Sequence, residues 1–539
     1  MIYYVAKNGS DSVGDGSQGN PWLTVQKAAD TIVAGDTVRV QSGLYDERVA
    51  PANAGTSGAK ITYFADGAAR VRGFNVTTKH FIRMVGFEIT HQDNTGAYNY
   101  NAITTSNCSG VEILDNWIHH TDVLGIRLGA YPPGAIIRGN VFEYIGWPEY
   151  PALDTVAGAI VGSFGQPSTG TIVEYNYISY VSDYINPHGE AWIMRNNYFG
   201  PTNTGTVGHV DGFQPNNASK NNLIEANFHE NNYSADNHFY LNQQSGKNQW
   251  IIRGNLSVLS NGAMDWQRAN AHFFYHNTFA KNFSGAFWDN NFQVQIHTNS
   301  TGNVARNNIW YKSVNQTAGS KIYAPSDTSV VDQDYEIWFQ IGAQTQTNGI
   351  SGDPGFTNVE GSGFDLTSSS IAINAAGPIT VATSNGTDST SLPVANSMVF
   401  WSGDSITING NAPNKINAID FYTNTLTLNT AISWTSGSGV FWRGQRDIGA
   451  LPYFSYGYSV LGNLYGADRT YTVLVPNTNL VRFVVFYEDG IPLSTVESPP
   501  FTYTSNGGTV TARIYPLYAS RTLWEHARKT HLGSMFSEC

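Results

Sequence analysis

The chain has 539 residues, of which 41% are apolar and only 13% charged, and its formal net charge is -12. Nucleic acid is excluded as a partner, since binding phosphates calls for stripes of Lys and Arg that are absent. No apolar run approaches the roughly 18 residues of a membrane-spanning helix, and two cysteines, Cys108 and Cys539, leave no disulfide framework.

The first elements read as a cap. Met1 is followed at once by the strand-like Ile2-Tyr-Tyr-Val5, with no signal-peptide pattern. The expectation is a secreted, extracellular or virion-associated protein that has lost its leader or leaves the cell by a route such as phage lysis. Thr24 then caps a short amphipathic helix reaching Val33, and Asp36-Thr-Val-Arg-Val40 returns to strand. Residues 1–80 are assigned as the N-terminal cap and first coils of a solenoid, with the helix covering an exposed strand edge.

The coils are assigned from residue 81 to about 375, and between Phe81 and Trp310 one phrase recurs: an apolar residue, two spacers, Asn, one spacer, another apolar residue. It reads Ile113-Leu-Asp-Asn116-Trp-Ile118, Ile137-Arg-Gly-Asn140-Val-Phe142 and Val173-Glu-Tyr-Asn176-Tyr-Ile178. Variants surround Asn197, Asn227, Asn255, Asn277 and Asn308, and an earlier copy from Met84 to Ile89 has Phe87 in place of Asn. The steps are uneven, 24 residues from Asn116 to Asn140 but 36 from Asn140 to Asn176. Fixed phrases with elastic gaps are the mark of a solenoid whose insertions loop out. Period-2 alternation makes its elements strands. An all-β parallel β-helix is predicted, with the asparagines stacked coil on coil as a hydrogen-bonded ladder.

Residues 376–453 read as a small β insertion with a closing coil. It holds short strands such as Ser405-Ile-Thr-Ile-Asn409 and Thr425-Leu-Thr-Leu428. Residues 454–522, with Val481-Arg-Phe-Val-Val-Phe-Tyr487 among their strands, read as a β-sandwich, and 523–539 as a tail.

A second strand comes after each Asn turn, and aligning Gly125-Ile-Arg-Leu128, Gly158-Ala-Ile-Val161 and their successors separates inward from outward positions. One outward column is Arg127, Ile160, Asn186, Gln214, Tyr240 and Asp265; its neighbour is His188, Asn216, Asn242, Gln267 and Asp289. A plain solvated face would carry more Lys, Glu, Ser and Thr, so this column predicts a groove for a polysaccharide or oligosaccharide. Asn186, His188, Gln214, Asn242, Trp266 and Gln267 are assigned to substrate binding, and Arg127 and Arg268 to a substrate carboxylate or sulfate. Either arginine could equally be a surface ion-pair partner.

Within the groove Asp265 and Asp289 align one coil apart and one outward position apart. Strands about 4.8 Å apart and about 6.7 Å per two residues put their Cα atoms roughly 8 Å apart. That suits the two carboxylates of glycoside hydrolysis, one protonating the leaving oxygen while the other activates water or attacks the sugar. Both could instead be solvated acids near turns. A second group joins His209, Asp211 and His238, with Tyr240 beside them as an acid, in a base-and-acid pair for elimination. Asp183 and Asp211 both precede their strands, and with Glu190 they form a candidate calcium set. Hydrolysis by a carboxylate pair would need no cofactor.

The opening "YYVAKNGSD…GSQGNPWLTVQKAAD…GDTVRVQSGLY" resembles that of right-handed, pectate-lyase-like β-helix polysaccharide lyases and glycosidases. "VRFVVFYEDGIPLSTVESPPFTYT" is similar to immunoglobulin-like modules attached to carbohydrate enzymes, and "GAMDW…GAFWD" resembles the acid-bearing strands of β-helix β-xylosidases. The resemblance implies a carbohydrate-active enzyme cutting glycosidic bonds, hydrolysis being favoured. Its lyases would imply calcium and a groove lysine. Here Lys220, Lys247 and Lys281 all fall between phrases, against a lysine-based elimination of a uronate polymer such as alginate or pectate. A non-catalytic adhesin or a phage tailspike, the latter a homotrimer, is the reading from another class.

Overall fold

The computed structural model describes residues 1–92, 100–129, 134–146, 158–162, 168–181, 183–201, 211–215, 219–230, 237–239, 249–258, 264–266, 270–280, 292–296, 301–311, 321–323, 331–340, 346–358, 363–449, 463–467, 470–474, 481–488, 491–496, 501–504 and 510–516. Thirty strands join in parallel into a single winding sheet, the signature of a parallel β-helix. Register divides each coil into three strands, one per face.

The first face runs from Ile2–Val5 through Ile82–Val85, Ile136–Arg138 and Asn222–Glu225 to Val331–Asp334. The second carries Trp117–Thr121, Val141–Ile145, Leu256–Val258 and Ile337–Phe339. The third carries Ile103–Ser106, Ile126–Leu128, Gly158–Gly162, Asp183–Asn186, Asp211–Phe213 and Asn237–Phe239. Ile113, Ile137 and Val173 stack in register on the first face, and Ile118, Phe142 and Ile178 on the second, all fully buried in one continuous core. Such stacking lets each coil bury its apolar residues against the coils before and after it.

The asparagines form the expected ladder at the corner between the first and second faces. Nδ2 of Asn116 donates to Oδ1 of Asn140 at 3.0 Å, and the chain continues through Asn176, Asn197, Asn227, Asn255, Asn277 and Asn308. It starts at the amide of Phe87, which donates to Asn116, and ends on the Glu336 carboxylate, which Asn308 reaches at 2.7 Å. The residue before each ladder asparagine is left-handed, including the non-glycine residues Asp115, Tyr175, Ala226 and His276 at φ 53 to 55°. That strain holds only because each asparagine saturates the corner's buried amides and carbonyls.

Thr24 does cap a helix, Val25–Thr31, its hydroxyl accepting from the Lys27 amide at 3.1 Å. Ile350–Ser351 is the last strand of the winding. Six antiparallel strands between Thr380 and Trp442 then form the inserted sheet, which packs Ile406, Leu426 and Trp442 on Ile251 and Phe273 of the first face. Beyond it lie two three-stranded antiparallel sheets, Asn463–Ala467 with Thr470–Leu474 and Phe501–Thr504, and Val481–Glu488 with Ile491–Val496 and Val510–Pro516. Phe486 of one sheet and Tyr503 of the other stack at 5.5 Å.

Candidate functional site

Most outward surface of the first two faces is already committed. On the first, Glu174 lies between Arg138 and Arg195 at 2.7 Å each, and Glu112 takes Lys60 and Arg83. Further along, the inserted sheet covers the coils. On the second face, Glu88 bonds Arg70 at 2.8 Å and His119 at 3.2 Å. His120, Tyr144 and Tyr180 stack on successive coils, and later outward positions such as Tyr198, Phe228 and Leu256 are buried with Phe364 and Val485. A ligand-binding surface has to be sought on the third face.

There the outward positions in register are Thr104, Arg127, Val161, Asn186 and, one residue past the Ile185–Phe213 pair, Gln214. This column corrects the sequence alignment by one residue: Ile160 pairs with Ile126 and is fully buried in the core, and Val161 stands beside Arg127. Two adjacent apolar positions, Ile160 and Val161, let either alignment satisfy the alternation.

Arg127 is exposed. Asn186 is fully buried and donates to Asp183 Oδ2 at 2.9 Å. Glycine at 158 leaves room for Val161, whose Cγ2 a Cβ there would meet at 2.6 Å. His188 is 2% exposed and hydrogen-bonded by the backbone of Gly162 and Gln214; burial holds its pKa down at about 4, so the imidazole is neutral at pH 7. It acts as an anchor in the wall of the face, and the Gln214 amide in turn donates to Ile185 O at 3.3 Å.

The Ile185–Phe213 pairing puts Asp211 on the rung next to Asp183, and Asp211 pairs onward with Asn237, one residue before His238. Glu190 belongs elsewhere. Its strand pairs with Ser168–Thr169, and its carboxylate takes Asn221 at 2.9 Å and Lys220 at 3.3 Å. Glu190 is therefore on a strand pair apart from the rungs of Asp183 and Asp211 and is paired with Lys220, while Asp183 accepts from Asn186. Among the described residues no group of three or more His, Cys, Asp or Glu could hold a metal ion.

Asp265 lies in Met264–Trp266, which pairs with Phe292–Ile296, so that Asp265 is beside Gln295 and Trp266 beside Ile296. This corrects the register of the alignment, which matches Trp266 to Trp288, eight residues short of its partner Ile296. Asp289, His209, Tyr240, Asn242, Gln267 and Arg268 lie outside the described residues.

Arg48, Thr104, Tyr100 and His91 are a grouping that sequence reasoning missed. Arg48 Nη2 donates to Thr104 Oγ1 at 3.0 Å, and the guanidinium lies over the Tyr100 ring, 4.2 Å from its centroid. The His91 ring meets Tyr100 edge-on at 5.0 Å; its pKa is about 4, held down by burial and by repulsion from Arg72 and Arg48.

No family model matches the chain, and the search of curated proteins found no match. Among solved structures, the complex of XylC with xylose is similar over 82% of this chain and 100% of its own, at 14% identity and a TM-score of 0.48. A rhamnogalacturonan lyase aligns over 67% of this chain and 91% of its own, at 16% identity and a TM-score of 0.45. An alginate lyase from Paenibacillus sp. str. FPU-7 aligns over 57% and 96%, at 15% identity and a TM-score of 0.41. The functional reading therefore rests on this chain's own residues.

Proposed function

We propose that this protein is a carbohydrate-active enzyme that cleaves glycosidic bonds of a polysaccharide lying along the outer third face. The observation that carries this is the division of labour among the faces. Ion pairs and the inserted sheet occupy the first, and aromatic stacks and buried apolar residues much of the second. The third keeps Arg127 exposed, with Thr104, Gln214 and the strands of Asp211, His238 and Asp265 along one line of coils. A linear substrate suits such a line, because the roughly 4.8 Å step between coils repeats the same contact along its length.

Hydrolysis with Asp265 as one carboxylate is the favoured chemistry, the second acid coming from a neighbouring loop. A specific observation supports elimination as a second reading: Asp183 and Asp211 occupy matching positions on adjacent coils, and His238 lies on the strand paired with that of Asp211, so residue types suited to proton abstraction come from neighbouring rungs. The paired C-terminal sheets are read as an immunoglobulin-like module accompanying the enzyme. The test is release of reducing ends from a panel of neutral and acidic polysaccharides by the full chain, with ultraviolet absorbance recorded. New reducing ends without absorbance indicate hydrolysis; reducing ends with the absorbance of an unsaturated uronate indicate elimination. A chain that binds these glycans and releases nothing would be an adhesin, and the enzyme reading would be lost.

A further inference from the structure

We propose that Arg48 and Arg127 form a subsite for the anionic groups, carboxylate or sulfate, of an acidic polysaccharide. The inference rests on the reading that a glycan lies along the third face, and it specifies the class of glycan.

The other described arginines of the winding have carboxylate partners. Arg83, Arg138, Arg195, Arg253 and Arg306 of the first face each reach a carboxylate within 2.7 Å. Arg48 and Arg127 differ, since neither has a carboxylate partner among the described residues. Asp46, the acid on the same strand as Arg48, is taken by Arg72 Nε at 2.6 Å, and Asp122 approaches His91 at 3.7 Å. In a chain of net charge -12, two guanidiniums on one face without a carboxylate partner among the described residues are a local departure from the overall field.

Their placement is specific. Thr104 and Arg127 are register partners on adjacent coils, and Arg48 reaches the same Thr104 from two coils earlier. The intervening coil presents Gly73, where a Cβ would collide with Ala102 O, so no side chain stands there to block the reach. Arg48 keeps one buried donor, Nε, without a hydrogen-bond partner. Burial also pulls the Arg48 guanidinium below its ordinary pKa, a desolvation cost that a bound anion would offset. The Tyr100 ring lies over the guanidinium at 4.2 Å, and the in-plane N–H groups of a guanidinium are the donors from which carboxylate and sulfate oxygens accept hydrogen bonds.

The experiment is affinity electrophoresis of the full chain through gels containing polygalacturonate, dextran sulfate or unsubstituted xylan, at low and high salt, for wild type, Arg127→Gln and Arg48→Gln. The expected result is retardation by an acidic polymer that salt weakens and that each substitution reduces about tenfold. Polygalacturonate alone would identify carboxylate as the ligand, and dextran sulfate alone would identify sulfate. Should xylan retard all three proteins equally while the acidic gels do not, the subsite is refuted and the glycan reading stands. Retardation by none of the polymers would remove both. Arg127 is exposed, so its variant decides the matter even if Arg48→Gln fails to fold.

Discussion

Arg253 and Asp404 are 151 residues apart in the chain, yet Nη1 of the arginine donates to Oδ2 of the aspartate at 2.6 Å in a fully buried contact. The same guanidinium holds Glu225 and the Tyr275 hydroxyl, and it lies 4.5 Å from the centroid of Trp442, while Arg443 closes the group on Glu225 at 2.7 Å. Two cations face two carboxylates across the junction of solenoid and inserted sheet. Removing one acid leaves a buried charge uncompensated, at a cost of about 3–5 kcal/mol. Asp404→Ala should lower stability by that order in urea unfolding, and a double-mutant cycle with Arg253→Met should show strong coupling. Additive effects would mean that the pair does not fasten the insertion.

A second expectation concerns the ladder. Asn197 donates to Val173 O at 2.9 Å and to Asn227 Oδ1 at 3.0 Å, and its own Oδ1 accepts both the backbone and side-chain amides of Asn176. Alanine there strands several buried groups, each worth about 1–3 kcal/mol. Asn197→Ala should destabilise by about 3 kcal/mol or more, whereas the exposed Asn417→Ala should change stability by under about 0.5 kcal/mol. Equal melting temperatures for the two variants would show that the ladder is not a main support.

The contrast between that ladder and the third face explains what a reader of the chain can and cannot see. Each ladder asparagine sits between two nearby inward residues, as Asn116 does between Ile113 and Ile118, so phrase and geometry repeat together and all eight asparagines are legible. Glu336 escaped because it ends the ladder with a different side chain. On the third face, loops of unequal length separate each strand from its Asn turn, and nothing local fixes the register. The alignment slipped by one residue at Ile160 and by eight at Trp288. Arg48 lay hidden for another reason: the first coils are continuous strands, Thr37–Val49 and Ile61–Thr77, that bend through two corners without any Asn phrase.

Acid should destabilise the fold in a defined window. His91 and His188 are held neutral by burial, their pKa values lowered from 6.5 to about 4. As pH falls through 6.5 the unfolded chain takes up these protons first, so stability is full above that value and declines toward pH 4. Each residue contributes on the order of 3 kcal/mol over the whole window. Urea midpoints measured from pH 7 to pH 4.5 should fall, and His188→Gln should flatten the decline. A midpoint that is level across this range would contradict neutral burial of either ring.

The register of Asp265 makes a final prediction about chemistry. Gln295 is its neighbour on the next coil, one strand spacing or about 4.8 Å away. A glutamine amide is neither an acid nor a base near neutral pH, so the second acid is not this register partner. If Asp265 is one of the two hydrolytic acids, Asp265→Asn should reduce kcat by about three orders of magnitude or more, with little change in KM. Gln295→Ala should then act chiefly on binding, raising KM about tenfold. Asp289→Asn distinguishes the source of the second acid: a loss as deep as that of Asp265→Asn would place its loop over the same bond. Full activity in Asp265→Asn would move the reacting atoms to the rungs of Asp211 and His238.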